Sequence, residues 1–186
     1  MPHRLSLIAS IAAICLAQQP APDILSPAAD SRFSKGPVRV IARSEAGAVL
    51  RLDGKPIVAE SPADGVLLAY LTPAAGVHEI VLKTAKGEQK VRFSVGAEGS
   101  FAPFREHPPV ANCQTCHAVK NGVWSLQRAS PVLLCSQCHS KESFPKTHTH
   151  IPGVLADCQM CHNPHGSATA AFLTMGKEKA CKQCHN

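Results

Sequence analysis

Four copies of Cys-x-x-Cys-His lie within the last 74 residues of this 186-residue chain, at a nearly fixed interval. They read Cys113-Gln-Thr-Cys116-His117, Cys135-Ser-Gln-Cys138-His139, Cys158-Gln-Met-Cys161-His162 and Cys181-Lys-Gln-Cys184-His185, with the histidines 22, 23 and 23 residues apart. Eight of the nine cysteines are used in this way. The pattern is the attachment signature of c-type haem, in which the two thiols bond to the haem vinyl groups and the adjacent imidazole takes one axial position on the iron. An interval this regular is an internal repeat with one haem per unit, hence four covalent haems c. Between the motifs large apolar side chains are few (Val132-Leu133-Leu134, Ile151, Val154-Leu155, Phe172-Leu173). A repeat unit that short cannot bury a conventional core, so the haems must supply it.

Residues 1–17 have the build of a secretory signal. Arg4 supplies positive charge, and Leu5 to Leu16 is apolar but too short for a membrane span. Cleavage after Ala17 removes Cys15, the one cysteine outside the motifs; the bulky Ile14 in front of it argues against lipid attachment there. Export suits covalent haem, which is attached outside the bacterial cytoplasm, so the expected location is the periplasm or outer cell surface. No later segment approaches spanning length. Charge gives little direction: of 19 Lys+Arg, 18 remain once Arg4 is removed, against 13 Asp+Glu. Basic residues are not clustered with aromatics, which excludes a nucleic-acid surface.

Residues 18–97 are written differently. They hold no cysteine beyond position 17, and Pro37–Arg43, Val49–Leu52, Val66–Leu71, His78–Lys83 and Val91–Val95 read as short strands separated by Gly, Pro and Asp. In the last of these Val91, Phe93 and Val95 share one face. Gly87 marks a hairpin tip, and Asp53-Gly54 a turn. The expected fold is therefore in two parts, a small antiparallel β-sandwich followed by a haem-cored region of short helices and loops. Residues 98–106 read as a linker and 107–186 as the haem-binding domain. The segments Ile24-Leu-Ser-Pro27, Leu52-Asp-Gly-Lys55 and Gly76-Val-His-Glu-Ile80 give the first part an order that resembles bacterial immunoglobulin-like domains. His78 shares its strand face with Ile80 and Leu82 and reads as a packing or hydrogen-bonding histidine.

The second axial position on each iron separates electron carriers from catalysts. Four histidines remain in the haem-binding half after the motifs are counted: His107, His148, His150 and His165. Four irons and four spare imidazoles is the arithmetic of complete bis-histidine ligation. Methionine competes poorly, since Met160 is inside a motif and Met175 is the only other one in this half. Which distal histidine serves which haem is open at this stage.

From Cys158 the chain reads Cys-Gln-Met-Cys-His-Asn-Pro-His-Gly-Ser167, then Phe172-Leu173, then Cys181-Lys-Gln-Cys-His185. This closely resembles the doubled CXXCH family of multihaem cytochromes. His107-Pro-Pro-Val and His150-Ile-Pro-Gly-Val resemble the histidine-proline lead-in of the same family. The resemblance implies haems packed for rapid electron hopping and His165 as an axial ligand, and it supports His107 and at least one of His148 and His150. The first motif departs from the pattern, because His117 is followed by Ala-Val-Lys.

The functional expectation is an exported tetrahaem electron carrier working between a donor and an acceptor protein, with no catalytic residues assigned. The alternative is a multihaem oxidoreductase with one open haem acting on a small oxyanion. Carboxylates to serve such a site are few (Glu98, Glu106, Glu142, Asp157, Glu178). Zinc or disulfide chemistry explains the cysteine pairs but not a histidine after each one. The sandwich itself is a candidate for docking a partner or a second copy.

Overall fold

The computed structural model describes residues 23–96, 99–108, 112–139 and 150–185. Residues 1–17, read as a secretory signal, and His148 therefore lie outside the described residues.

The first part is a two-sheet sandwich. Its strands are β1 (Asp23–Ser26), β2 (Ser31–Phe33), β3 (Val38–Arg43), β4 (Val49–Leu52), β5 (Lys55–Pro56), β6 (Glu60–Ala63), β7 (Val66–Leu71), β8 (Gly76–Thr84), β9 (Gly87–Val95) and β10 (Ala102–Pro103). One sheet runs β1-β3-β7-β6 and the other β10-β2-β9-β8-β4-β5. The first is the A-B-E-D order of an immunoglobulin domain and the second contains its G-F-C order, with β2 added beside G and β5 beside C. The fold is immunoglobulin-like. Two pairings depart from a purely antiparallel sandwich: β2 runs parallel to β9, and β10 parallel to β2.

Alternation places the core where expected. Phe93, Ile80, Leu82, Leu50, Val38 and Val40 are all buried, and Phe33 meets Phe93 edge-on at 5.8 Å. The β8–β9 hairpin closes at Thr84 and Gly87, whose φ of 147° suits glycine. In the Asp53-Gly54 turn both residues have positive φ (49° and 79°), the two-residue form that matches strand twist. That turn also fixes His78, whose Nδ1 lies 2.7 Å from Asp53 Oδ2 and Nε2 2.9 Å from the Ala74 carbonyl. With an acceptor at each ring nitrogen, both must carry protons. Partial burial opposes the charge, but the bonds to Asp53 and Ala74 outweigh it and hold the His78 pKa above its ordinary value.

Among the described residues the second part holds a hairpin, β11 (His117–Lys120) with β12 (Val123–Leu126), and three short helices, α1 (Pro131–Cys135), α2 (Pro152–Leu155) and α3 (Lys177–Lys182). Single 3₁₀ turns occupy Cys113–Thr115, Cys158–Met160 and Ala170–Phe172. No apolar side chain from this part joins the buried core, which stops at Val95 among the described residues. Ile151, Leu133 and Leu155 stand exposed instead. The two parts are joined side by side. Arg105 and Ser167 exchange backbone hydrogen bonds at 3.0 Å each, and Asn163 Nδ2 donates to the Leu25 carbonyl at 2.9 Å. Phe104 stacks on Phe33 at 4.7 Å, and the Asp64 amide donates to the Gly122 carbonyl at 2.7 Å. Within the stretch read as a linker, residues 99–106 thus include a strand and a contact layer, because Phe104 and the β10 backbone both find partners on the sandwich.

Candidate haem-binding site

All four motifs share one local geometry. The second cysteine's amide donates to the first cysteine's carbonyl: Cys116 to Cys113 at 3.2 Å, Cys138 to Cys135 at 3.1 Å, Cys161 to Cys158 at 3.3 Å and Cys184 to Cys181 at 3.2 Å. In three of them the histidine amide bonds to that same carbonyl, His139, His162 and His185 at 2.9, 2.9 and 3.0 Å. A single helical turn puts positions i, i+3 and i+4 on one face, which is what two thioethers and an axial imidazole on one ring require. Asn112 and Asp157 cap the first and third turns, each accepting the amide two residues on at 3.0 Å. The first motif breaks away after Cys116, where β11 begins at His117 and the Cys116 carbonyl instead accepts the Gln127 amide at 2.8 Å.

The eight motif thiols are free and exposed or half-buried. Cys135 is pushed up to about 11, by burial first and then by the neighbouring Cys158 thiol, which lies within hydrogen-bonding reach. Cys116 is also raised, by burial and then by Cys138 and Cys113. Thiols of the first and second motifs, and of the second and third, therefore adjoin.

The histidines come together in pairs drawn from distant positions. His117 faces His165 with ring centres 6.1 Å apart and planes 3° from parallel. His139 faces His107 at 5.8 Å, and His185 faces His150 at 6.3 Å. A metal–imidazole bond is about 2 Å and a ring centre lies about 1 Å behind its nitrogen, so two imidazoles on one metal have centres about 6 Å apart. In each pair one member is a motif histidine and the other is one of the spare four. The fourth motif histidine, His162, has its ring fixed from behind, with Nδ1 donating to the Ala171 carbonyl at 2.7 Å. That bond leaves Nε2 for a metal, the arrangement by which metal-binding imidazoles are oriented. Ala171 and Phe172 both have positive φ (53° and 55°), a cost of about 1–3 kcal/mol each, where the carbonyl turns toward His162.

Burial favours the neutral form of three of these imidazoles, His165, His117 and His107, which leaves a nitrogen lone pair for iron. His165 is brought down to about 4, by burial, then His117, then Arg39. His117 is lowered by burial, and His107 by burial and then by His139. Two buried polar atoms close to the first motif have no hydrogen-bond partner among the described residues, His165 Nδ1 and Trp124 Nε1. Trp124 stands edge-on to His117 at 4.7 Å. Nor do three or more His, Cys, Asp or Glu converge as a bare-metal site among the described residues. Paired imidazoles with thiols alongside suit a metal already held in a macrocycle.

Residues 150–186 match the family model for the doubled CXXCH motif. Over 79 residues the chain is 35% identical to the multihaem cytochrome MtrA of Shewanella baltica (strain OS185), a match covering 40% of this chain and 23% of that protein. Residues 150–186 carry the paired haem-attachment motif found in multihaem c-type cytochromes. The match spans about a quarter of its relative's length. Among solved structures, titin domain M4 superposes with a TM-score of 0.28 at 20% identity, covering 42% of this chain and 96% of that one. Titin M10, from its complex with an obscurin-like 1 immunoglobulin domain, gives 0.27 at 19% identity, covering 40% and 91%.

Of the eight histidines read as ligands, seven lie among the described residues, six of them in the three pairs and the seventh His162. Trp124, Arg39, Asn163 and the Ala171 carbonyl were not anticipated. Asn163 belongs to the quoted motif, and its side chain both accepts the His165 amide at 2.9 Å and reaches Leu25, so it holds the segment carrying His165 against the sandwich. Among the described residues no helix is long and apolar enough to cross a membrane.

Proposed function

We propose that the chain is an exported electron carrier with four covalent haems c, each closed by two imidazoles. The cysteine pairs 113/116, 135/138, 158/161 and 181/184 hold the rings. The axial pairs are His117 with His165, His139 with His107, and His185 with His150, which leaves His148 for His162. The observation that carries this is the set of three imidazole pairs at 5.8, 6.1 and 6.3 Å, each joining a motif histidine to a spare one.

Bound haem supplies a one-electron Fe(III)/Fe(II) couple, and two imidazoles on each iron fill the positions a substrate would need. The chain's own residues set the order of the array. Cys135 and Cys158 are in reach of each other and Cys116 lies near Cys138, so the thiols of motifs one to three adjoin. His148 and His150 are two residues apart and serve the third and fourth motifs, which brings that pair together. The reading is a four-centre relay from the first motif to the fourth, between partner redox proteins in the periplasm or on the outer surface. The signal at 1–17 and the extracytoplasmic attachment of haem c support export.

The purified holoprotein should return four haems per chain in a pyridine haemochrome assay and an EPR spectrum of low-spin ferric iron. Replacing His107, His148, His150 or His165 by alanine should convert one haem to high spin and leave the count at four. Two or fewer haems, or mainly high-spin iron in the wild type, would overturn the reading and favour an open, reactive centre.

A further inference from the structure

The sandwich contributes one cation to the edge of the haem array. Arg39 sits on β3, facing the haem-binding part, and is only 7% exposed. Long cationic side chains are almost never buried this fully unless they meet opposite charge. Its Nη2 lies 3.2 Å from Glu106 Oε1, and Glu106 directly precedes His107, assigned above to the second iron. The Arg39 carbonyl also accepts the Ser26 hydroxyl at 3.0 Å, next to the Leu25 carbonyl that holds Asn163, two residues before His165, assigned to the first. The segment carrying His165 is held at this spot by three ties, the Asn163–Leu25 hydrogen bond and the paired Arg105 and Ser167 backbones. Arg39 therefore stands at the seam between the sandwich and the first two axial pairs, in a setting too dry for solvent to screen it fully.

We propose that Arg39 is an electrostatic tuning residue of the first haem, through which the sandwich holds that centre at a higher reduction potential than its ligands alone would give. The proposal rests on the ligand assignment above. Accepting one electron from a donor protein turns Fe(III) into Fe(II) and lowers the charge of the centre by one. A fixed positive charge nearby penalises the ferric state more than the ferrous one, so it favours reduction. Glu106, half-exposed, offsets part of that effect.

Spectroelectrochemical titration of the full holoprotein tests this in Arg39→Gln, Arg39→Lys and Glu106→Gln, with haem count and low-spin EPR checked first in each. In Arg39→Gln one of four midpoints should fall, changing the reduced-to-oxidised ratio of that haem about tenfold at fixed potential, or about 59 mV for one electron. Arg39→Lys should keep most of the wild-type value, and Glu106→Gln should move the same midpoint upward. The haem that responds should be the one that becomes high-spin in His165→Ala. Four unmoved midpoints in a four-haem, low-spin Arg39→Gln protein would overturn the tuning role while leaving the relay intact. Equal shifts in the Lys and Gln variants, or a response at another haem, would overturn it as well. Should Arg39→Gln fail to fold, the upward shift in Glu106→Gln decides, and its absence counts against the proposal. Loss of haems or of low-spin iron in the wild type would instead refute the ligand reading beneath it.

Discussion

Gly166, in the Asn163-Pro-His-Gly-Ser segment, should be the least replaceable small residue in the haem-binding part. Its φ is 130°, where only glycine rests without strain, and a Cβ there would overlap Phe104 Cζ and stand 2.9 Å from the Arg105 carbonyl oxygen. Backbone strain in such a region costs about 1–3 kcal/mol. The Phe104 ring can swing away only by leaving Phe33, and overpacking of this kind costs about 1–3 kcal/mol more. Arg105 cannot retreat without losing its two hydrogen bonds to Ser167. Gly166→Ala should therefore destabilise the junction by about 2–5 kcal/mol, the sum of those two ranges with some relaxation. Since residue 165 is the neighbour, the first visible effect should be at its iron. Guanidinium unfolding followed by far-ultraviolet circular dichroism gives the stability, and EPR gives the high-spin fraction. The Phe104→Ala background removes the ring overlap, so there the cost of Gly166→Ala should fall by about 1 kcal/mol or more. Wild-type stability and an unchanged spectrum in the single variant would refute the steric reasoning.

The core makes a second prediction: Phe93→Ala, at a fully buried site touching Phe33, should cost about 3–5 kcal/mol in denaturant unfolding while haem spin states in the folded fraction stay unchanged. The Asp53–His78 pair predicts a pH dependence. His78 is raised above its ordinary 6.5 in the folded state, so its contribution is complete below that value and is lost as pH rises through the folded pKa. Asp53 is lowered from 3.8; burial opposes this, but the His78 bond and the Glu79 amide outweigh it, and its contribution disappears only as pH falls through that lowered value. Asp53→Asn should thus lower the melting temperature more at about pH 5.5 than at about pH 8.5, and equal losses at both would dismiss the charged pair.

The long strands were legible because each runs five residues or more in a strand-like pattern. Val91–Val95 and the start of Val38–Arg43 alternate with period two, and Val66–Leu71 is a short continuous apolar run bounded by turn residues. β1, β2, β5, β6 and β10 do not, since two to four residues with Ser or Pro among them form by backbone pairing alone. The β11–β12 hairpin carried a usable signal that went unread. Asn121-Gly122 sits between Ala118-Val119 and Val123-Trp124, and both turn residues take positive φ, 52° and 79°. The motif turns were legible because their chemistry is local. The pairing of distal to motif histidines was not, because His165 meets His117 from the far side of two repeats, and no local pattern encodes such a meeting.

That distance has a consequence for how the array closes. His107 precedes the second motif, so the imidazole assigned to the second haem lies upstream of that haem's attachment site. His165 follows the third motif, so the imidazole assigned to the first haem comes from a segment that crosses back over two repeats. The entropy of closing so long a loop grows only slowly with its length, but it must be met by something that holds the returning segment in place. Asn163 on the Leu25 carbonyl and the Arg105–Ser167 pair do this, and they fasten the segment to the sandwich and its β10 extension, both formed earlier in the chain. On the proposed ligand assignment, the haem-free domain would be the template that places the second imidazole of the first iron, and the same seam would present Arg39 to it. Placing a ligand and placing a charge would then be one structural act, and a sandwich without haem would have a direct part in electron transfer.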